Sequence, residues 1–113
     1  MPAFKTIVVN VDDVAAAKAV YATALGAEPH TDLPSYVGFN VDGCEFGLAP
    51  RQGPDLPAGV VPYLDSDDVE ATLDALRQAG ATVLQESTDV GGGTAIAIVA
   101  DPEGNRFGIR SRR

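Results

Sequence analysis

The stretch "VADPEGNRFGI", residues 99–109, ends in a pattern that an earlier stretch, "FNVDGCEFGL" at 39–48, already contains. At a constant offset of 61 positions the two stretches share a glycine, a phenylalanine and a second glycine: Gly43, Phe46 and Gly47 match Gly104, Phe107 and Gly108. Two further echoes precede them in the same order, "DDV" at 12–14 and 67–69, and "LGA" at 25–27 with "AGA" at 79–81. Similarities in one order indicate an internal duplication.

The first copy has the order strand, helix and three strands. "FKTIVVNV" at 4–11 is β-branched and apolar, which favours a strand. Asp12 or Asp13 can cap the helix that "VAAAKAVYATAL" predicts, and Gly26 suits its left-handed end. Three strands then follow, with the Asp-Gly pair between the last two as a hairpin signal. We predict them around 27–33, at 36–41 and at 44–49.

The second copy repeats this order. A strand at 60–65 precedes the capping sequence "SDDV" and the helical "EATLDALRQAG". "ATVLQES", "TAIAIVA" and "RFGIR" are the three strands, separated by "TDVGGG" at 88–93 and by the turn "DPEGN". This copy is longer by about six residues, which we assign to a flexible loop at 88–93.

The duplication predicts the fold class α+β, with two tandem β-α-β-β-β units forming a curved mixed sheet and both helices on its outer face. The whole chain, 1–113, is then one domain. Its repeat units are 4–49 and 60–110, and the Pro- and Gly-rich segment 50–59 links them.

The composition of the chain restricts the classes of partner that it can bind. The 113 residues include 16 acidic and 8 basic side chains, a net charge of −8, which argues against a nucleic-acid partner and is compatible with a cationic small molecule. No apolar segment has membrane-spanning length and no signal-peptide pattern begins the chain, so we predict a soluble, cytoplasmic protein. The single cysteine, Cys44, excludes an intrachain disulfide and cannot alone form a thiolate metal site.

Strand alternation separates an apolar sheet face, which the helices cover, from a mixed one. The mixed face has hydroxyl, amide, carboxylate, phenol and guanidinium groups and two glycines that leave space, as a ligand-binding cup requires. The alternative is an ordinary solvated sheet face. The residues predicted to face this cup and contact a ligand are Thr6, Val8, Asn10, Glu45, Gly47, Val61, Tyr63, Asp65, Arg106 and Gly108.

The paired units, "VNVDDV", "LDSDDVEATLDALRQAGA" and above all "VADPEGNRFGI" resemble the glyoxalase / bleomycin-resistance / extradiol dioxygenase group, the vicinal oxygen chelate superfamily. The resemblance implies a cup that holds one divalent metal through side chains from the first and last strand of each unit. By register those positions are Thr6, Val61, Gly47 and Gly108. The side chains of glycine and valine have no atom that can bind a metal, and a lone threonine hydroxyl is a poor ligand. We therefore expect no metal, no cofactor and no catalytic residue.

The resemblance is therefore to the metal-less, drug-binding branch, whose members sequester bleomycin-like antibiotics and form homodimers. It implies a non-catalytic protein that binds a cationic or aromatic compound, although Tyr63, Tyr36 and Phe39 are few aromatics for stacking. One alternative is a superfamily enzyme, a lyase, isomerase or dioxygenase, with an unorthodox metal site or metal-independent acid–base chemistry. Another is an interaction module with a vestigial cup.

We expect the only histidine, His30, to have a surface or packing role. We expect glutamate to be tolerated at Gly47 and Gly108, since neither glycine is needed for core packing.

Overall fold

The computed structural model describes residues 3–51 and 56–111. In these ranges each half of the chain forms a strand, a helix and three further strands. The elements of the first half are β1 (Phe4–Val11), α1 (Val14–Leu25), β2 (Thr31–Leu33), β3 (Tyr36–Val41) and β4 (Cys44–Pro50). Those of the second half are β5 (Gly59–Ser66), α2 (Val69–Ala79), β6 (Thr82–Gly91), β7 (Thr94–Ala100) and β8 (Arg106–Ser111).

The chain divides into two compact units, and each is a helix on one face of a mixed sheet. The first unit is Lys5–Val61 and the second combines Met1–Phe4 with Pro62–Arg113. The predicted class, α+β with two β-α-β-β-β units, is confirmed. The predicted linker 50–59 includes residues 52–55, which lie outside the described residues.

In the first unit the strand order is β2-β3-β4-β1. β1 runs parallel to β4, whereas β2–β3 and β3–β4 are antiparallel. The core consists of Val9, Val37, Phe39 and Leu48. Val14, Ala17, Tyr21 and Leu25 of α1 pack on it, and the rings of Tyr21 and Phe46 lie 5.0 Å apart. Removing this apolar surface from water stabilises the unit by roughly 25 cal/mol per Å².

The second unit has the strand order β5-β8-β7-β6, with β5 parallel to β8 and the other pairs antiparallel. Leu73 of α2 is fully buried and packs with Val69, Ala97, Val99 and Ile109. Val69, Leu73 and Leu76 are spaced so that all three lie on one side of α2 and contact this cluster.

Both helices begin and end at predicted residues. The Asp13 carboxylate accepts a hydrogen bond from the N–H of Ala16 (3.0 Å), and Asp68 accepts one from Ala71 (3.0 Å). Of the two candidates in the first copy, Asp13 is therefore the cap. Gly26 ends α1 with a φ of 62°, a left-handed conformation that glycine adopts without strain.

The turn "DPEGN" is organised by the carboxylate of Asp101. Its Oδ1 accepts from the N–H groups of Glu103 and Asn105, each at 2.9 Å, and its Oδ2 accepts from the Asn105 side chain at 2.9 Å. The Asn105 bond is the largest reason that the pKa of Asp101 lies below its ordinary value. This motif closes the β7–β8 turn and has a structural role.

The loop predicted at 88–93 was wrong. β6 continues to Gly91 and pairs with β7 from Thr82 to Gly91, so only 92–93 form the turn. The register shifts between Val83 and Gln85, between Gln85 and Thr88, and between Asp89 and Gly91. Through these irregularities the 10 residues of β6 pair with the 7 of β7, so part of the extra length lies within the hairpin, because a bulge inserts residues into one strand without ending its pairing.

In the described ranges no helix is long and apolar enough to cross a membrane. The cytoplasmic location stays a prediction.

Candidate functional site

Strands β1 and β4 contribute five of the predicted ligand-contacting residues, on the sheet face that α1 leaves uncovered. Thr6 is the register partner of Glu45 and Val8 is that of Gly47, so these four share a face with Asn10. Asn10 is 1% exposed, and its amide donates to the carbonyl of Pro50 (3.1 Å). Their neighbours Val9 and Leu48 point to the helix-covered core.

The other five predicted ligand-contacting residues lie on β5 and β8. Tyr63 is paired with Gly108 and Asp65 with Arg110, and alternation puts Val61 and Arg106 on the same side. Val61, Tyr63 and Asp65 are buried. A guanidinium nitrogen of Arg110 lies 3.8 Å from Oδ1 of Asp65, an ion pair on this face that the sequence analysis did not include. Contact with a ligand remains a prediction for all ten residues.

Glu45 is the centre of a hydrogen-bonded cluster. Its Oε1 lies 2.7 Å from Nε2 of His30, and its Oε2 accepts from the hydroxyl of Tyr36. The other imidazole nitrogen, Nδ1, lies 2.8 Å from Oγ1 of Thr31. A carboxylate only accepts, so Nε2 of His30 carries a proton and donates to Glu45. We call His30, Thr31, Tyr36 and Glu45 the Glu45 cluster.

Gly38 forms the floor of the Glu45 cluster. A Cβ atom at this position would lie 2.6 Å from Oε2 of Glu45, 2.7 Å from Cε2 of Tyr36 and 2.9 Å from Cε1 of His30. Real Cβ atoms do not approach other atoms so closely, so only glycine lets the three side chains meet here. A glycine inside a strand often marks such a close approach.

The two glycines at the metal-ligand positions are covered by tyrosine rings. A Cβ atom at Gly47 would lie 2.5 Å from the hydroxyl oxygen of Tyr36, and one at Gly108 would overlap the ring of Tyr63. The expectation that these glycines leave space is therefore wrong, and glutamate at Gly108 would meet the buried ring of Tyr63. At Gly47 the atoms in the way are the far end of the half-buried Tyr36 side chain, which must move to admit a larger residue. The space above each is filled by an aromatic ring of the same unit.

Tyr63 is 3% exposed, and this burial raises the pKa of its phenol above the ordinary 10.0. The positive charge of Arg106 lowers the pKa in the opposite direction and is the smaller effect. The phenol is therefore neutral at physiological pH. It can offer a hydroxyl group, and not a negative charge, to a ligand or a neighbouring residue.

The residues present do not fit the divalent metal that the fold family implies. Of the four expected ligand positions, Gly47, Gly108 and Val61 have no donor atom, and Thr6 has a single hydroxyl. Tyrosine rings occupy the space that longer side chains would need at Gly47 and Gly108. Within the described part of the chain no three His, Cys, Asp or Glu side chains are grouped so as to hold a metal ion.

A separate groove of about 450 Å³ lies in the second unit at the beginning of α2. It includes none of the ten predicted residues. Asp68, one of its carboxylates, is already used as the helix cap. The polar residues that line the groove are Asp67, Asp68, Glu70, Ser87, Asp89, Thr94 and Ser111.

Sequence reasoning missed His30 as a functional candidate and considered Tyr36 only for stacking. His30 directly precedes the three-residue strand β2, and nothing in its local sequence points to Glu45, fifteen positions away. The one available signal was Gly38, a glycine in the middle of the β3 pattern "YVGFN". A glycine at this position indicates that side chains from neighbouring strands approach the backbone closely, and this would have pointed to the cluster around Glu45.

The chain belongs to the Glyoxalase/Bleomycin resistance protein/Dioxygenase superfamily, whose family model matches residues 3–109. This confirms the resemblance to the superfamily that the sequence analysis stated, and the metal-less, drug-binding branch stays a prediction. A search of curated proteins found no match.

Solved structures with the same fold have low sequence identity to this chain. A member of this superfamily from Vibrio splendidus 12B01 has a TM-score of 0.69 at 19% identity, covering 95% of this chain and 97% of that one. A variant of Streptomyces coelicolor methylmalonyl-CoA epimerase, in complex with 2-nitronate-propionyl-CoA, has 0.67 at 20%, covering 96% and 95%. A structure named NAD-dependent benzaldehyde dehydrogenase, from Legionella pneumophila, has 0.76 at 16%, covering 96% and 98%. At these identities the similarity shows the fold alone.

Proposed function

We propose that this protein binds a small organic molecule on the mixed face of its sheets, without a metal ion and without catalysing a reaction. The observation that carries the proposal is the pairing of Gly47 with Tyr36 and of Gly108 with Tyr63. Where superfamily enzymes are expected to have metal-binding side chains, this chain has a glycine and a ring that covers it. A Lewis-acid mechanism needs ligands that these positions do not supply.

The same residues suit recognition. In the first unit Glu45 offers an oriented carboxylate that is 29% exposed and Asn10 has a buried amide, and in the second unit Tyr63 has a neutral, buried phenol. Binding sites of this kind combine apolar walls with a few fixed polar groups. We further propose that the ligand is cationic or aromatic, as the net charge of −8 favours. Antibiotic sequestration, a homodimeric state and a cytoplasmic location belong to the same proposal.

The test combines metal analysis with a thermal-shift screen of cationic and aromatic metabolites. We expect protein purified without chelator to hold no stoichiometric divalent metal. We also expect ligands to raise the melting temperature equally with and without EDTA. At a hundredfold excess over Kd, a ligand specific for the folded state stabilises by about 2.7 kcal/mol.

Two threonines in the first unit give matched variants for this screen. Thr6→Arg puts a long side chain on the predicted binding face, and we expect it to reduce the thermal shifts. Thr23→Arg lies on the exposed surface of α1 and should leave them unchanged. Near-stoichiometric zinc, nickel, iron or manganese that is required for ligand binding would overturn the proposal.

A metal-independent acid–base enzyme is the second candidate, because the bonds of Glu45 to His30 and Tyr36 link three groups able to carry protons. The ligands found in the screen discriminate the two candidates. An enzyme of this kind exchanges a carbon-bound hydrogen of its substrate for deuterium in D₂O, and Glu45→Gln abolishes the exchange seen by ¹H NMR. A binding protein leaves every ligand unexchanged.

A further inference from the structure

We infer that the Glu45 cluster is a subsite for an organic cation, an ammonium or amidinium group whose N–H bonds are accepted by the Glu45 carboxylate. This inference rests on the proposed binding function and names the chemical class that the site selects. It adds His30, Thr31 and Tyr36 to the residues predicted from the sequence, and assigns them the role of positioning Glu45.

The remaining hydrogen-bonding capacity of Glu45 is only that of an acceptor. A carboxylate has about four lone-pair positions, and the donors from His30 and Tyr36 use one on each oxygen. The positions that are left can be satisfied only by further donors. A ligand carbonyl, carboxylate or phosphate would bring a lone pair toward a lone pair, whereas a protonated nitrogen brings N–H groups and an opposite charge.

The carboxylate is also fixed in place before a ligand arrives. His30 holds one oxygen and Tyr36 the other, while Nδ1 of His30 is in turn 2.8 Å from Thr31. Gly38 allows these side chains to converge directly above the backbone of β3. An isolated surface glutamate loses rotamer entropy when it binds, but this one has already lost it during folding.

Exposure and charge favour the same ligand. The side chains of Glu45 and His30 are 29% and 46% exposed, so the carboxylate is partly removed from water yet can be reached. In the described ranges no lysine or arginine forms a salt bridge with Glu45, whose side-chain partners are the His30 imidazole and the Tyr36 hydroxyl. The net charge of −8 raises the local concentration of cations and speeds their association.

A purely structural role is the competing explanation, since the cluster connects β2 to β4 across β3. Stability measurements alone do not separate the two roles. A readout that depends on ligand charge does, because a structural tether has no preference among ligands of one shape.

The experiment is a ¹H–¹⁵N NMR titration of the full chain with benzylammonium, and with benzyl alcohol and phenylacetate as neutral and anionic analogues. We expect benzylammonium to shift the signals of His30, Gly38 and Glu45, and the two analogues to leave them unchanged. Glu45→Gln should weaken benzylammonium binding about tenfold or more, since a charge-assisted bond is replaced by a neutral one. The control, Glu28→Gln, removes the same charge at an exposed position of the same unit and should have no effect.

Tyr36→Phe keeps the ring over Gly47 and removes the bond to Glu45, so it tests the positioning role in a protein that folds. We expect it to weaken benzylammonium binding about threefold to tenfold. Shifts of equal size with phenylacetate, or an unchanged affinity in Glu45→Gln, would overturn the cation assignment. Thermal-shift ligands that bind equally to wild type and Glu45→Gln would leave the proposed binding function standing while the cation subsite fails.

Discussion

The ring of Tyr63 lies against the backbone of Gly108, its register partner on the neighbouring strand, so closely that a methyl group on Gly108 would be within 3.0 Å of three ring carbons. Tyr36 and Gly47 have the corresponding relationship in the first unit. In both cases an aromatic ring takes the place of the glycine's side chain, most tightly at Gly108, where the ring is buried. The glycines are thus packing residues, and the sequence alone did not indicate this.

Gly108→Ala should destabilise the protein by about 1–3 kcal/mol, the usual cost of forcing an additional group into a well-packed site. The new methyl group displaces the ring of Tyr63, which is 3% exposed and has little space to move. Urea denaturation monitored by circular dichroism measures the loss. An unchanged midpoint would contradict the close packing of the pair.

The double variant supplies the control for this measurement. In a Tyr63→Ala background, Gly108→Ala should be neutral or stabilising, because alanine suits a strand better than glycine and no ring remains to displace. Independent effects of the two substitutions would show that the ring and the glycine do not interact.

Gly38→Ala should disorder the Glu45 cluster, because the added methyl group meets three of its side chains. We expect a change in the His30 imidazole signals in ¹⁵N NMR and a smaller loss of stability than in Gly108→Ala, because the methyl group meets the far ends of partly exposed side chains. Gly43→Ala is the comparison: its Cβ meets no atom within 4 Å, and its φ of 86° costs only backbone strain. A His30 signal that is unchanged in Gly38→Ala would show that the side chains of the Glu45 cluster do not pack against Gly38.

The phenol of Tyr63 should lose its proton at a higher pH than its ordinary pKa of 10.0 would give. Burial raises its pKa above 10.0, so the folded state retains the proton more strongly than the unfolded state. The resulting stability is fully present below pH 10 and is lost as the pH rises through the folded value. Absorbance at 295 nm follows the ionisation of tyrosine, and Tyr63→Phe should remove the absorbance change that belongs to Tyr63.

Arg106→Gln tests the second contribution to this pKa. The charge of Arg106 lowers the pKa of Tyr63, so its removal should delay the ionisation further. Arg77→Gln removes the same charge from a pair with Asp74 and Glu86, and it should leave the Tyr63 titration unchanged. An earlier ionisation in Arg106→Gln would contradict the assigned sign.

Asp68→Ala should cost about 1 kcal/mol, because it removes the acceptor for the Ala71 N–H at the beginning of α2. Asp67→Ala is the matched control, since it removes a neighbouring exposed carboxylate that is not the cap of α2. Thermal unfolding of both variants gives the comparison. Equal losses would mean that charge, and not capping, is responsible.

The order of elements and the face of each strand followed from local patterns in the sequence. Asp13, Gly26 and the Asp-Gly turn fix element ends within a few residues, and alternation assigned Glu45 and Gly47 to one face, as their register with Thr6 and Val8 confirms. These features depend on neighbours along the chain, and they can be predicted for that reason.

The contacts between side chains of different strands could not be predicted in the same way. The bond between His30 and Glu45 depends on the register of three strands and on the absence of a side chain at Gly38. The length of β6 similarly depends on bulges that allow an irregular segment to keep pairing with β7. Neither relationship has a periodic signature.

The glycine–tyrosine pairs also constrain how this lineage can change. A single mutation that introduces glutamate at Gly47 or Gly108 puts a side chain where a tyrosine ring lies, so a first step toward metal binding costs stability unless the ring moves. This loss of stability is avoided when Tyr36 or Tyr63 is replaced with a smaller residue first. Descent from this sequence to a metalloenzyme is therefore a path of coupled substitutions, with the loss of an aromatic ring ahead of each gained ligand.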